Sequence, residues 1–273
     1  TRRDSGTGGF ALIGESSLPI YEDLNSQAGM DAFGLDEEIL KTASVVPFRV
    51  REGDDAGCLN LNRAQNPVLV GVSAAKLSER KAFRFIGDGN WELLSKSAKD
   101  EAIPGIADQA TAMWGLGKGV GDTLDYTDGK GRTVKVQIVA LLAGSILQGK
   151  LIIDERAFLD RFPDAAGYKF LLIDSPPAKT QEMSEHLTRQ LEARGLALES
   201  ANARLAEFNA VQNTYIGIFT VLGGLGVLLG TAGLGVLLAR PALARKGEPG
   251  LMQAVGFKQP PRPGVTLRRR ITL

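Results

Sequence analysis

Short apolar runs broken by turn residues fill the first 180 positions. They predict strands at 10–15 (FALIGE), 45–50 (VVPFRV), 67–72 (PVLVGV), 82–86 (AFRFI), 133–143 (TVKVQIVALLA), 150–154 (KLIID) and 168–174 (YKFLLID). Helical spacing predicts helices at 36–42, 74–81, 106–114, 154–162 and 179–194. The run Glu155 to Phe162 follows a strand and stops at Pro163, where a helix must end. The 179–194 stretch places Met183, Leu187 and Leu191 on one face among polar neighbours. Asp88-Gly89-Asn90 marks a turn, and Asp128-Gly129-Lys130-Gly131 marks a hairpin between two strand-like runs. Strands and helices mixed in this order, with hairpins, give an α+β class. A helical run from about 200 leads into a different kind of sequence.

Residues 215–239, YIGIFTVLGGLGVLLGTAGLGVLLA, carry no charge. As a helix they extend roughly 37 Å at 1.5 Å per residue, against a bilayer core of about 30 Å. That predicts one transmembrane helix. Tyr215 suits an interface, while Arg240, Arg245 and Lys246 follow the far end, so the positive-inside rule puts the C-terminal side in the cytoplasm and the larger N-terminal region outside it. Gly223, Gly226, Gly230 and Gly233 are spaced to share one helix face, and Gly226 and Gly230 make a GxxxG pair. Gly217, Thr220, Gly224 and Thr231 form a second stripe of small residues. Such faces let other helices approach closely, so the span is expected to be one member of an incomplete bundle.

The bulk composition adds exclusions. A net charge of +1 with scattered basic residues gives no case for nucleic acid. One cysteine, Cys58, and one histidine, His186, leave little material for a catalytic dyad or a transition-metal site. Cys58, in DDAGCLNLNRAQNPVLVGV (54–72), reads as a small buried residue, and His186 as part of a solvated helix face. WGLGKGVGD (114–122) lacks the Walker and GxGxxG spacings and reads as a glycine-rich lead into a strand. Asp122, Asp125 and Asp128 are three apart and lack the spacing of a calcium loop; they read as hairpin polarity. GESS (14–17) lacks the second glycine of a nucleophile elbow. No catalytic residue, cofactor or metal site is expected.

The stretch 208–258, FNAVQNTYIGIFTVLGGLGVLLGTAGLGVLLARPALARKGEPGLMQAVGFK, resembles the second membrane helix and following cytoplasmic segment of FtsX-like, MacB-type ABC transporter permeases. Arg245, Lys246 and Glu248 match that family's charged part; Leu251, Met252, Ala254, Val255, Gly256 and Phe257 match the apolar run ending in Ala-x-Gly. DDAGCLNLNRAQNPVLVGV, WGLGKGVGDTLDY and LIIDERAFLDRFPDAAGYKFLLID are similar to the family's extracytoplasmic core domain. The resemblance implies a permease subunit of the bacterial inner membrane, with a separate ABC ATPase subunit docked on a coupling helix. ATP-driven movement there would reach the outer domain for export, lipoprotein handling or related work. It also implies other transmembrane helices or a second permease copy as partners. Pro241 and Pro249 depart from the pattern, and Pro249 is expected to start the coupling helix.

The expected organisation is an outer MacB-like domain over 1–206, a membrane-entry and transmembrane helix over 207–240, a coupling segment over 241–258, and an unmatched tail over 259–273. QPPRPGVTLRRRITL in that tail is not the next membrane helix of the family, and a shift of reading frame would account for it. A fragment is therefore expected. The competing class is a single-pass receptor or adhesion protein with an outer binding domain; the segment 240–258 separates the two.

Overall fold

The computed structural model describes residues 2–53, 66–96 and 102–244, and the side chains of 211–216, 238, 239 and 241–244 lie outside that description. The chain divides into two units, Thr1–Ala210 and Val211–Leu273.

The described part of the first unit carries nine strands: β1 Leu12–Ile20, β2 Ser44–Arg51, β3 Val68–Val72, β4 Ile103–Asp108, β5 Thr123–Thr127, β6 Thr133–Leu142, β7 Lys150–Asp154, β8 Tyr168–Asp174 and β9 Leu196–Ser200. They form one mixed sheet in the order β5-β6-β4-β7-β3-β2-β8-β1-β9. The pairs β3/β7 and β4/β6 are parallel and the others antiparallel. Helices α1 (Gln27–Phe33), α2 (Glu37–Leu40), α3 (Ala74–Glu79), α4 (Glu155–Arg161) and α5 (Thr180–Gln190) fill the connections. This is the expected mixture of strands, hairpins and helices.

The central strands bury both faces, which is why they read as continuous apolar runs. On β2 and β8, Val46, Phe48, Phe170 and Leu172 join a cluster with Phe10, Leu77 and Trp91. Their neighbours Val45, Leu171 and Ile173 point into another cluster, closed by Met183 and Leu187 of α5 and by Leu191 just after it. A third cluster sets Phe158 and Phe162 against β3, β4, β6 and β7. Gly71 on β3 is required there: a Cβ at that position would lie 2.6 Å from Cβ and Cγ of Phe158.

Asp154 starts α4 by accepting from the Arg156 N–H at 3.0 Å. The hairpin at 128–131 forms as expected, with Thr127 opposite Thr133. Its turn is organised by the buried Asp128, whose carboxylate accepts from the backbone of Lys130 and Arg132 and from Arg132 Nε, at 2.8–2.9 Å. Those bonds, led by the backbone donor of Arg132, hold the carboxyl below its ordinary value against the opposing effect of desolvation.

Two expectations are corrected. Residues 82–86 are not a strand: Phe83 is left-handed at φ 68° and only Phe85 makes a bridge, to Leu142. The predicted helix at 106–114 splits into the end of β4 and a π-helical turn, Thr111–Leu116.

One helix, α6, runs from Ala201 to Ala244. Its first residues belong to the first unit, where the Ala201 N–H donates to the Ala11 carbonyl at 2.9 Å. Gly217–Leu237 within it is long and apolar enough to cross a membrane. Among the described residues, an α+β domain is thus followed by one apolar helix.

Candidate functional site

The strongest candidate is the apolar stretch of α6. None of Gly217–Leu237 is buried. Eleven large side chains are exposed there, from Ile218 and Phe219 to Val236 and Leu237. At roughly 1–2 kcal/mol each for such partial exposure, leaving them in water costs on the order of 10–20 kcal/mol. That rivals the whole stability of a domain, about 5–15 kcal/mol. The helix is apolar all round, so its surroundings must be lipid or other apolar helices.

Gly223, Gly226, Gly230 and Gly233 fall within about 80° of one another at 100° per residue. A Cβ built at any of them meets nothing within 4 Å. Space inside the chain therefore does not demand glycine, and a helix interior penalises it by about 0.8–1 kcal/mol relative to Ala. Small residues gathered on one face are the pattern by which helices approach closely in lipid. Beside them, Thr231 Oγ1 donates back to the carbonyls of Val227 and Leu228 at 2.9 and 3.0 Å, which satisfies the hydroxyl without a partner helix. The matched positions of the coupling segment, Arg245 to Phe257, lie outside the described residues, as do Cys58 and the tail.

The first unit holds polar clusters that strand propensity alone did not reveal. Arg49 on β2 donates from Nη2 to the Tyr168 hydroxyl at 3.1 Å and from Nε to Glu155 Oε1 at 2.9 Å, with Nη2 also 2.9 Å from that oxygen in the ion pair. The Tyr168 hydroxyl donates to the same oxygen at 2.8 Å, and the guanidinium lies 4.2 Å from the Tyr168 ring centre. Burial, and then the bond to Glu155, push the Tyr168 phenol up to about 12. The group clamps α4 to β2 and β8. Its visible signal was a charge inside an apolar run, Arg49 in VVPFRVR.

Asp108, fully buried at the end of β4, accepts from the Ser145 N–H and Oγ at 2.6 and 2.9 Å and from the Ala110 N–H at 2.9 Å. Thr111 Oγ1 accepts from the Gly149 N–H at 2.8 Å. These bonds tie the π-helical turn to the β6–β7 connection. Burial raises the Asp108 carboxyl despite them. Lys150 Nζ sits 3.7 Å from Glu15 and 4.7 Å from the Phe170 ring centre; burial lowers its ammonium more than Glu15 raises it.

Among the described residues no cluster of three or more His, Cys, Asp or Glu could hold a metal ion. His186 is half-buried, and its Nε2 accepts from the Asp36 N–H at 2.9 Å. It joins α5 to the start of α2, so the solvated-face reading is corrected. Residues 114–122 do lead into a strand: Gly117 closes the π-helical turn in the left-handed region at φ 65°, and β5 begins at Thr123. Trp114 on that turn is 81% exposed. Asp122 accepts from the Gly119 N–H at 2.8 Å and shapes the loop.

No family model matches the sequence, and no curated protein matches it. Among solved structures, the chain is similar to the periplasmic region of MacB from Actinobacillus actinomycetemcomitans, at 9% identity and TM-score 0.42 over 75% of this chain and 94% of that one. It is also similar to the extracellular domain of the noncanonic ABC-type transporter YknZ from Gram-positive bacteria, at 13% identity and TM-score 0.35 over 69% of this chain and 98% of that one.

Proposed function

We propose that this chain is a permease component of an ABC-type transporter, working with a separate ATP-binding subunit and carrying its movement to an extracytoplasmic unit. The observation that carries the reading is α6: a helix apolar on every side, exposed over Gly217–Leu237, with four glycines on one face that no contact among the described residues requires. That combination suits a helix packed among others in lipid better than a lone anchor. The resemblance at 208–258 supplies the rest.

In this reading the basic side of the span, from Arg240 onward, is cytoplasmic in a bacterial inner membrane. The segment 241–258 docks on the ATPase, with Leu251, Met252, Ala254, Val255, Gly256 and Phe257 as apolar anchors and Arg245, Lys246 and Glu248 as the charged flank. Gly223, Gly226, Gly230 and Gly233 pack against other transmembrane helices of the transporter or of a second copy. The chain itself hydrolyses no ATP.

The test is co-purification of the full chain with an ABC-type ATP-binding subunit from the same cell. Leu251→Asp, or Arg245→Glu with Glu248→Lys, is expected to abolish capture while the first unit stays folded. Capture that survives both changes would remove the coupling role.

A further inference from the structure

Within the first unit, a cavity of about 430 Å³ opens where β2 begins. That is the size of a small-ligand site. Its floor is Val45 and Val46, both buried, and its walls carry Arg3, Lys76 and Arg80 with one carboxylate, Glu79. The last three share α3 and its C-terminal cap at spacings of one and four residues, and Lys76 and Arg80 therefore lie on one helix face. Ser44 adds a hydroxyl on the β2 side.

The donors here outnumber the acceptors. Lys76 Nζ donates to Asp23 at 3.1 Å, and Arg80 Nη2 donates to Asp174 at 2.6 Å. An ammonium offers three donors and a guanidinium five. The Arg80 side chain is only 12% exposed and lies over the Phe10 ring at 4.7 Å. Its Nε is buried without a hydrogen-bond partner. A buried donor left unmade costs about 1–3 kcal/mol. The nearby carboxylates are already engaged: Asp23 takes two bonds from Asn25 besides Lys76, and Asp174 takes Arg80. Asn25 is engaged as well, since its amide both donates to and accepts from the Val45 backbone.

We propose that this cavity binds a singly charged oxyanion, a phosphodiester or a carboxylate, with Arg3, Lys76 and Arg80 donating to its oxygens. Glu79 opposes added negative charge beside it. The phosphodiester can belong to a glycerophospholipid or to a free solute, and the two sources are separable. The site does not depend on the transporter reading, since it lies wholly within the first unit.

The test is calorimetric titration of the full chain, in non-ionic detergent at low salt, with dimethyl phosphate and with a soluble short-chain phosphatidylglycerol. Saturable binding of either probe is expected. Binding of both assigns the site to the oxyanion itself, and binding of the lipid alone assigns it to a headgroup with its chain. The double variant Arg3→Gln/Lys76→Gln keeps the Arg80–Asp174 pair and is expected to weaken binding about tenfold or more. Glu79→Gln is expected to tighten it several-fold. Unchanged emission from the buried Trp91 checks that each variant is folded. No saturable binding of either probe, a double variant that binds like the parent, or a Glu79→Gln variant that binds no tighter would each overturn the proposal.

Discussion

Replacing Gly226 and Gly230 with Leu separates an interface from a mere anchor. Inside the chain the change is harmless by geometry, because a Cβ at either position meets nothing within 4 Å. Leu is also a better helix former than Gly by about 0.7–1 kcal/mol per site. A lone helix in a bilayer should therefore tolerate the pair or gain slightly from it. If the glycine face receives another helix, each Leu overpacks the contact at about 1–3 kcal/mol. The pair then costs about 2–6 kcal/mol, a loss of about thirtyfold or more in association. The control is Leu228→Ala, since Leu228 lies about 180° round the helix from the centre of the glycine face at 100° per residue. Complexes would be extracted from native membranes and weighed intact, with thermal unfolding of the first unit followed in parallel. The expected result is loss of assembly in the double variant, retention in the control, and the same midpoint of unfolding in both. Assembly unchanged in the double variant would refute the reasoning and reduce α6 to an anchor.

Other expectations concern the first unit. Phe158→Ala removes a fully buried ring that packs 5.4 Å from Phe162 and against Gly71, and should cost about 3–5 kcal/mol in urea unfolding. Arg49→Met strips a charged hydrogen bond from Glu155 and another from the Tyr168 hydroxyl and should cost about 1.5–3 kcal/mol, with the Tyr168 absorbance titration moving up, because the Arg49 charge holds that phenol down. Asp128 has a folded pKa below the unfolded value near 3.8, so its contribution is complete above 3.8 and is lost as pH falls through the folded value; Asp128→Asn should flatten stability against pH in that acid window. Trp91 is buried and donates to the Ala82 carbonyl at 2.8 Å, whereas Trp114 is exposed; Trp114→Phe should remove the acrylamide-quenchable part of the fluorescence and leave the rest.

Legibility in the sequence followed how local the cause was. The strands β2, β3, β7 and β8 show as apolar runs because their centres bury both faces, and β6 shows because TVKVQI alternates polar and buried apolar positions. The span at 215–239 shows because lipid imposes its composition residue by residue. β4 was hidden by Pro104 and Gly105, usual strand breakers, although its six residues are all buried. Its place depends on Ile103 meeting Val136 and Ala107 meeting Leu151, partners that local periodicity does not contain. β9, LALES, has ordinary helix formers and is a strand only because β1 offers it an edge. The anion cavity was invisible for a related reason. Arg3, Val45 and Arg80 come from three separate stretches, and nothing in any one of them announces the others.

The place of β1 also governs how this protein can be made. It lies between β8 and β9, with Leu12 opposite both Ile173 and Ser200. The sheet is therefore closed by residues that leave the ribosome near opposite ends of the unit, a high-contact-order arrangement that folds slowly. At about 5–20 residues per second, synthesis of the intervening chain takes roughly 10–40 s, during which β1 has an unpaired edge. The apolar helix emerges almost directly after β9. Closure of the sheet and insertion of the helix thus fall in the same narrow period of synthesis. A chaperone that covers β1 until residue 200 appears should raise the yield of folded protein more than one that acts on the finished chain.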